Sequence, residues 1–185
     1  MIIGICGKSC CGKSSLAEDL IKLSDKEIVH LNIDNVGHEV ITLPDIKDKL
    51  IKTFGESIIE NDTINRSNLG KIVFNSKEEM DKLTNITWDK MQEIIDEFIN
   101  TNKDKIIILD WLLLPKSKYF NICNIKILLD IPYEIRKERA IKRDNITEEK
   151  FDLREKASLD YDKESFDYVF RTNDIDNTKR LVKLL

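Results

Sequence analysis

Residues 2–14 have the sequence Ile-Ile-Gly-Ile-Cys-Gly-Lys-Ser-Cys-Cys-Gly-Lys-Ser, and this stretch sets the fold class of the chain. Residues 2–6 form a short apolar run of the kind that makes a buried strand. Residues 7–14 match the phosphate-binding loop pattern G-x-x-x-x-G-K-S/T at every fixed position. Residues 15–23 then place apolar side chains at helical spacing. Strand, loop and helix in succession predict a nucleotide site with its phosphates at the helix N-terminus.

Each residue type in this loop has a physical task. Gly7 and Gly12 permit unusual backbone angles, so that the N–H groups of the loop point inward at phosphate oxygens. Lys13 can reach the β- and γ-phosphates as a point charge, and the Ser14 hydroxyl can bind Mg²⁺. The predicted nucleotide contacts are therefore Gly7, Lys8, Ser9, Cys10, Cys11, Gly12, Lys13, Ser14 and Ser15.

The composition predicts one domain spanning residues 1–185 and argues against several partner classes. Charged residues make up 35% of the chain but the net charge is only -4, which argues against a protein that binds nucleic acid through bulk charge. The first predicted strand begins at Ile2, so no signal peptide is expected. The longest apolar stretch, residues 106–115, contains Asp110 and is too short to span a membrane. We expect neither a membrane nor a nucleic-acid partner, and no feature indicates a protein partner.

The four cysteines follow neither a zinc-site spacing nor a secreted disulfide pattern, and this predicts a reduced, cytoplasmic setting. Cys10 and Cys11 lie in the phosphate loop near a helix N-terminus, where a thiol pKa can be lowered. The alternative interpretation is that both are small residues that fill the loop. The sequence leaves open whether they are redox-active.

Further apolar runs predict an α/β fold with a parallel five-stranded sheet in a three-layer, P-loop kinase-like arrangement. The remaining strand patterns cover residues 28–33, 105–110, 124–130 and 168–170, and a last helix begins near Ile175. Residues 35–104 form a mostly helical insertion, with segments at 46–54, 66–75 and 76–102. Ser76 and Glu79 form a capping-box pattern at the start of the longest segment.

Two aspartates follow predicted strands, at the edge where such sheets bind ligands. Asp34 comes after the second strand and suits the orientation and deprotonation of an acceptor hydroxyl; a magnesium ligand through water, or a helix cap, are the alternatives. Asp110 ends an apolar strand, a common place for a carboxylate that holds Mg²⁺ through water. A turn or helix-start role remains open for Asp110.

An arginine-rich segment at residues 136–158 predicts a small lid. Arg136, Arg139 and Arg143 are spaced to share one helix face, and a polar break at residues 144–145 precedes a second helical pattern. Such a pair of helices can close over phosphates, exclude water and set positive charge against the transferring group. Interleaved glutamates leave an ordinary solvated helix as the alternative.

Together these motifs resemble the dephospho-CoA kinase family, and the similarity runs through most of the chain. The segment 66–75 is the most telling, because general phosphate-loop kinases lack it. The other matching residues are 3–7 with 12–14, 33–34 with 38–40, 54–58, 64–69, Arg139 with Arg143, and 167–169 with Asn173.

This resemblance implies that ATP phosphorylates the ribose 3′-hydroxyl of dephospho-CoA, a small-molecule acceptor. It implies that Asp34 orients that hydroxyl and that Arg139 and Arg143 are the catalytic arginines of the lid. It also places Asn173 near the adenine of ATP. His38 and Arg66 are the further substrate contacts that it implies in the helical acceptor-binding region.

Several positions depart from the family pattern, mostly on the acceptor side. Asn32 stands where the family has the first acid of an Asp-x-Asp pair, and residues 88–89 are Trp-Asp in place of His-Pro. Residues 112–116 replace the Pro-Leu-Leu-x-Glu pattern. Two alternatives therefore stay open, namely a P-loop kinase for another hydroxyl acceptor such as a nucleoside, and a nucleotide-binding regulatory protein without turnover.

Overall fold

The computed structural model describes residues 1–74, 76–156, 158–172 and 174–185. The chain divides into two compact units, the first made of Met1–Ile33 with Ile99–Leu185 and the second of Asp34–Phe98. The sequence prediction of a single domain over residues 1–185 stays a prediction. Asn173, the predicted adenine contact, lies outside the described residues.

The order of strands and helices alternates as the apolar patterns predict. In chain order they are β1 (Ile2–Cys6), α1 (Lys13–Leu23), β2 (Ile28–Asn32), α2 (Ile33–Val40), α3 (Pro44–Phe54), β3 (Ile59–Glu60), β4 (Thr63–Ile64), α4 (Arg66–Val73), α5 (Lys77–Thr101), β5 (Ile106–Asp110), β6 (Ile125–Leu129), α6 (Tyr133–Asp144), α7 (Glu148–Lys156), β7 (Tyr168–Phe170) and α8 (Ile175–Val182). Short 3₁₀ turns cover Glu56–Ile58, Leu114–Lys116, Lys118–Ile122 and Lys163–Ser165.

The first unit is built on a five-stranded parallel sheet with the order β2-β5-β1-β6-β7. All five residues of β5 are buried, as expected for a central strand that is covered on both faces. Leu16, Ala17 and Leu20 bring the apolar face of α1 into the same core as Leu181 of α8. The predicted α/β fold with a parallel five-stranded sheet is therefore confirmed.

The second unit contains α3, α4, a β3–β4 hairpin and most of α2 and α5. Ser76 starts α5, because its hydroxyl oxygen accepts a hydrogen bond from the Glu79 N–H at 3.4 Å. The hairpin was not predicted; its turn residues, Asn61 and Asp62, have left-handed φ angles of 49° and 59°. Across the described ranges, no helix combines the length and the apolar content that a bilayer crossing requires.

One boundary differs in a way that affects the site. The predicted second strand runs through Ile33, but β2 ends at Asn32 and Ile33 already begins α2. Asp34 therefore lies in the first helical turn, where a carboxylate is favoured by the positive end of the helix dipole.

Candidate active site

The phosphate loop joins β1 to α1 and takes the backbone path that its glycines allow. Gly7 has a φ of 149° and Gly12 a φ of 96°, both in the region that favours glycine. A Cβ atom on Gly7 would lie 2.5 Å from the Cys11 Sγ and 2.7 Å from the Leu129 carbonyl oxygen. Gly7 is therefore required by close packing as well as by its backbone angle.

The predicted metal residues Ser14 and Asp110 meet at the base of this loop. The Ser14 hydroxyl donates a hydrogen bond to Asp110 Oδ2 at 2.7 Å, and the Asp110 carboxylate is fully buried. Lys13 Nζ lies 3.8 Å from Asp110 Oδ1 and donates to the Gly7 carbonyl at 3.2 Å. A strand end and a helix start thus place a cation, a hydroxyl and a carboxylate together beside the loop.

Two residues of β2 complete this cluster, and sequence reasoning did not assign either of them to it. The Asn32 amide donates to Ser14 Oγ at 3.1 Å and to Asp110 Oδ2 at 3.2 Å. His30 Nε2 lies 3.4 Å from the same Oδ2 atom. The signal that could have found them is strand alternation, since residues two apart share a face and Asn32 pairs in register with Asp110.

The chemistry of this cluster fits Mg²⁺. Ser14 and Asp110 offer hard oxygen ligands, and Asp110 Oδ1 is a buried acceptor without a hydrogen-bond partner among the described residues. No group of three or more His, Cys, Asp or Glu side chains within the described ranges could hold a metal. Magnesium in proteins typically takes one or two carboxylates and completes its shell with water and substrate phosphates.

The predicted lid contacts the phosphate loop through two cations. Arg139 of α6 donates to the Cys11 carbonyl at 3.3 Å. Lys8 of the loop donates to Glu155 of α7 at 3.0 Å and to Asp160 at 3.3 Å. Burial lowers the pKa of Lys8, but the hydrogen bonds to these two carboxylates outweigh it and raise the pKa overall. Both helices of the predicted lid are thereby tied to the loop.

Arg136 differs from the exposed lid arginine that the helix spacing suggests. It is only 4% exposed, and its guanidinium binds the Glu155 carboxylate through two hydrogen bonds of 2.7 and 2.9 Å. Its Nε atom also donates to the Ile131 carbonyl at 2.9 Å. The hydrogen bonds from Arg136 lower the pKa of Glu155 against the opposing effect of burial. Arg136 therefore joins α6 to α7.

Arg143 also bonds within the lid. It donates to Asp144 at 2.7 Å, and Arg154 of α7 donates to the same carboxylate at 2.5 Å. The Arg143 hydrogen bond, with help from Arg154, holds the pKa of Asp144 at about 2 despite partial burial. These contacts fix the end of α6 against α7.

The loop cysteines do not behave as a matched pair. Cys11 is fully buried, and burial raises the pKa of its thiol, which favours the interpretation of Cys11 as a small residue that fills the loop. The physical reason is loss of solvation, which outweighs the nearby positive charge of Lys13. Cys11 instead fills the space beside Gly7. Cys10 is half-buried with a left-handed φ of 61°.

The predicted acceptor residues Asp34, His38 and Arg66 belong to the second unit. Asp34 and His38 lie on α2, and Arg66 is the first residue of α4. Burial, followed by the positive charge of Arg66, lowers the pKa of His38. The structure thus brings His38 and Arg66 within electrostatic range of each other, and both burial and Arg66 disfavour the protonated form of His38.

Two cavities of the first unit lie beside the predicted nucleotide contacts. The larger, of about 290 Å³, is lined by Lys8, Leu129, Asp130, Ile131, Pro132, Tyr133, Arg136, Tyr161 and Arg171. The smaller, of about 70 Å³, is lined by Ser15, Leu16, Asp19, Leu129, Phe170, Thr172, Asp174, Asn177 and Thr178. Lys8 and Ser15, both predicted nucleotide contacts, thus each border a cavity.

Comparison with known proteins agrees with the family resemblance found in the sequence. A family model described as dephospho-CoA kinase matches residues 1–175. A protein of Aquifex aeolicus with the name dephospho-CoA kinase is 33% identical over 193 residues, covering 98% of this chain and 93% of that protein.

Solved structures show the same fold. The structure of TT1252 from Thermus thermophilus matches with a TM-score of 0.81 and 21% identity, covering 100% of this chain and 95% of that one. A dephospho-CoA kinase from Campylobacter jejuni matches with a TM-score of 0.56 and 21% identity, covering 99% and 94%. At these identities the likeness supports the fold.

Proposed function

The chain belongs to the dephospho-CoA kinase family, and on that premise we propose which residues perform its reaction. Its function is the ATP-dependent phosphorylation of dephospho-CoA to coenzyme A, a transfer to an alcohol group. The observation that carries the site assignment is the Lys13, Ser14 and Asp110 cluster beneath a complete phosphate loop. Acceptor roles then fall to residues of the second unit.

On the donor side, the loop N–H groups and Lys13 would bind the phosphates of ATP. Lys13 is held by the Gly7 carbonyl at 3.2 Å, so its ammonium group already lies at the loop. Arg139, anchored to the loop carbonyls, and Arg143 would stabilise the charge that builds up on the transferring phosphoryl group. The lid helices would exclude water, which protects ATP from hydrolysis.

Ser14 and Asp110 would hold Mg²⁺, Ser14 directly and Asp110 through water. Mg²⁺ held by these two residues would supply positive charge that offsets the negative charge of the ATP phosphates. Asp110 is buried and accepts hydrogen bonds from Ser14 and Asn32, so its carboxylate is oriented by the protein. That preorganisation means that little rearrangement is needed during transfer.

On the acceptor side, Asp34 would orient the ribose 3′-hydroxyl and take its proton as the oxygen attacks the γ-phosphorus. The new P–O bond forms as the bond between the γ-phosphorus and the β–γ bridging oxygen breaks, and ADP leaves. Arg66 would attract the anionic groups of dephospho-CoA. His38, whose protonated form is disfavoured by burial and by Arg66, would contribute hydrogen bonds from its imidazole ring.

The test is ADP release from ATP and Mg²⁺ with and without dephospho-CoA, with the product identified by mass spectrometry. Asp34→Asn should lower kcat by about a hundredfold or more while ATP binding is kept. Asp45→Asn is the matched control, because Asp45 also lies in the first turn of a second-unit helix. Near-normal turnover in Asp34→Asn would remove the role assigned to Asp34. If dephospho-CoA is not phosphorylated while a nucleoside is phosphorylated by ATP, the nucleoside would replace dephospho-CoA as the assigned acceptor.

A further inference from the structure

His30 is a partly buried polar side chain, 17% exposed, that the reaction outlined above does not use. Its Nε2 atom is shielded from solvent and has no hydrogen-bond partner among the described residues. The charged atom it faces is Asp110 Oδ2, at 3.4 Å. Because a buried ring nitrogen without a partner destabilises the folded state, an apolar residue would suit this position better unless the nitrogen serves its neighbour.

The strand register explains why His30 reaches Asp110. His30 and Asn32 are two residues apart on β2 and therefore point to the same face of the sheet. β2 pairs with β5 so that Asn32 is opposite Asp110, with His30 one step behind on that face. Both β2 side chains thus approach the same carboxylate oxygen, Oδ2, while Lys13 faces Oδ1.

Binding of nucleotide would change the partners of this carboxylate. In the proposed function, on which this inference rests, Ser14 turns its hydroxyl to the cation and Lys13 turns to the phosphates. The Ser14 hydroxyl, which donates to Asp110 Oδ2 at 2.7 Å, then also ligates the cation through its oxygen. The two donors on β2 do not contact phosphate in that arrangement and stay available to Oδ2.

We propose that His30 is a positioning residue for Asp110 in the nucleotide-bound enzyme. Its Nε2–H group donates to Asp110 Oδ2 once Ser14 is engaged, and Asn32 donates to the same atom. Two donors on one oxygen fix the carboxylate plane, so that Oδ1 faces the water shell of the cation. Such a residue tunes metal affinity without touching metal or substrate.

The experiment measures Mn²⁺ binding in the presence of a non-hydrolysable ATP analogue, with free Mn²⁺ counted by EPR. His30→Leu, which removes the donor, should weaken Mn²⁺ binding about tenfold while metal-free analogue binding stays unchanged. His30→Gln, which keeps an N–H donor at similar reach, should restore Mn²⁺ affinity to within about threefold of wild type. Val29→Ala removes side-chain volume from the opposite face of β2 and serves as the control.

Mn²⁺ affinity of His30→Leu within about twofold of wild type would overturn the inference, as would equal losses in the Leu and Gln variants. If His30→Leu does not fold, His30→Asn replaces it, because the shorter amide cannot reach Oδ2; equal affinity in the Asn and Gln variants would also overturn it. Wild-type protein that binds no Mn²⁺ with the analogue would overturn the magnesium assignment as well. If the His30 variants change Mn²⁺ affinity as expected but the wild-type protein does not phosphorylate dephospho-CoA, the positioning role of His30 would be supported. Only the assignment of dephospho-CoA as acceptor would then fail.

Discussion

At the scale of single residues, Gly7 combines two constraints that can be separated by experiment. Gly7→Ala adds a Cβ atom 2.5 Å from Cys11 Sγ at a φ of 149°. We expect a loss of about 2–3 kcal/mol in the free energy of unfolding, together with weaker ATP binding, because the loop must shift. Urea unfolding and nucleotide titration measure the two effects.

Gly55→Ala is the matched control for Gly7→Ala. Gly55 has a φ of 81° but nothing within 4 Å of an added Cβ atom. The Gly55→Ala variant should therefore lose only about 1 kcal/mol in the free energy of unfolding, from backbone strain, and its ATP binding should be unchanged. Equal losses in the two alanine variants would show that the packing of Cys11 against Gly7 adds nothing.

The four cysteines should differ in reactivity. Cys6, Cys11 and Cys123 are buried, and burial raises the pKa of all three thiols. Brief alkylation of the native protein at pH 7.5 should therefore label Cys10 first, by about tenfold or more over the others. Peptide mass spectrometry reads out the order, and early labelling of Cys11 would contradict its placement.

Some of the site could be anticipated from single residues and some could not. Lys13 and Ser14 could be predicted as site residues from local spacing, and the structure places both beside Asp110. Strand alternation places His30 and Asn32 on one face of β2, but their approach to Asp110 depends on register with β5, which lies more than seventy residues further along the chain.

At the scale of elements, the joint between α6 and α7 depends on one carboxylate. Glu155→Gln would leave the buried Arg136 guanidinium without its anionic partner. We expect a loss of roughly 2–3 kcal/mol in the free energy of unfolding and faster amide exchange in α7. Lys8→Met, which removes a more exposed partner of the same carboxylate, should cost less than about 1 kcal/mol. A larger loss of stability in Lys8→Met than in Glu155→Gln would contradict the assignment of the Arg136–Glu155 pair as the main link between α6 and α7.

Low pH should destabilise the contact between α6 and α7, because this contact depends on the ionised carboxylate of Asp144. Its pKa is about 2 in the folded protein against an ordinary value of 3.8. The unfolded chain therefore takes up a proton first as the pH falls, so the stabilisation is complete above about pH 4 and is lost toward pH 2. Unfolding free energies at pH 6 and pH 3 should differ less in Asp144→Asn than in wild type. An unchanged difference would exclude this source of acid sensitivity.

The elements themselves were largely predictable, and the exceptions have physical causes. Largely apolar runs placed β1, β5 and β6 within a residue or so of their bounds, because buried strands leave few polar positions. The β3–β4 hairpin has only two residues in each strand, too few for an alternating pattern. Arg136 is buried by a partner nineteen residues away, which helix spacing cannot reveal.

At the scale of the whole molecule, donor and acceptor should protect different parts of the chain from hydrogen exchange. ATP with Mg²⁺ should slow exchange mainly within Met1–Ile33 and Ile99–Leu185, and dephospho-CoA mainly within Asp34–Phe98. At a hundredfold excess over its Kd, either ligand should stabilise the folded protein by about 2.7 kcal/mol.

Lys13→Met provides the control for this exchange experiment. It should abolish protection by ATP while protection by dephospho-CoA persists, because Lys13 belongs only to the proposed phosphate site. Protection of Asp34–Phe98 by ATP alone, with no effect of dephospho-CoA, would contradict the division of roles between the two units.

The strand order also bears on how this chain emerges from the ribosome. β1 lies between β5 and β6, and β2 pairs with β5, so neither early strand has a hydrogen-bonding neighbour in the sheet until residue 106 has been made. A nascent chain halted before that point would carry two unpaired apolar strand segments together with residues 34–98. Such long-range pairing is slow and leaves strand edges open to other chains. The carboxylate that pairs with Ser14 lies at the end of the same strand, so the first strand pairings of the sheet and the Ser14–Asp110 contact become possible at one point in synthesis.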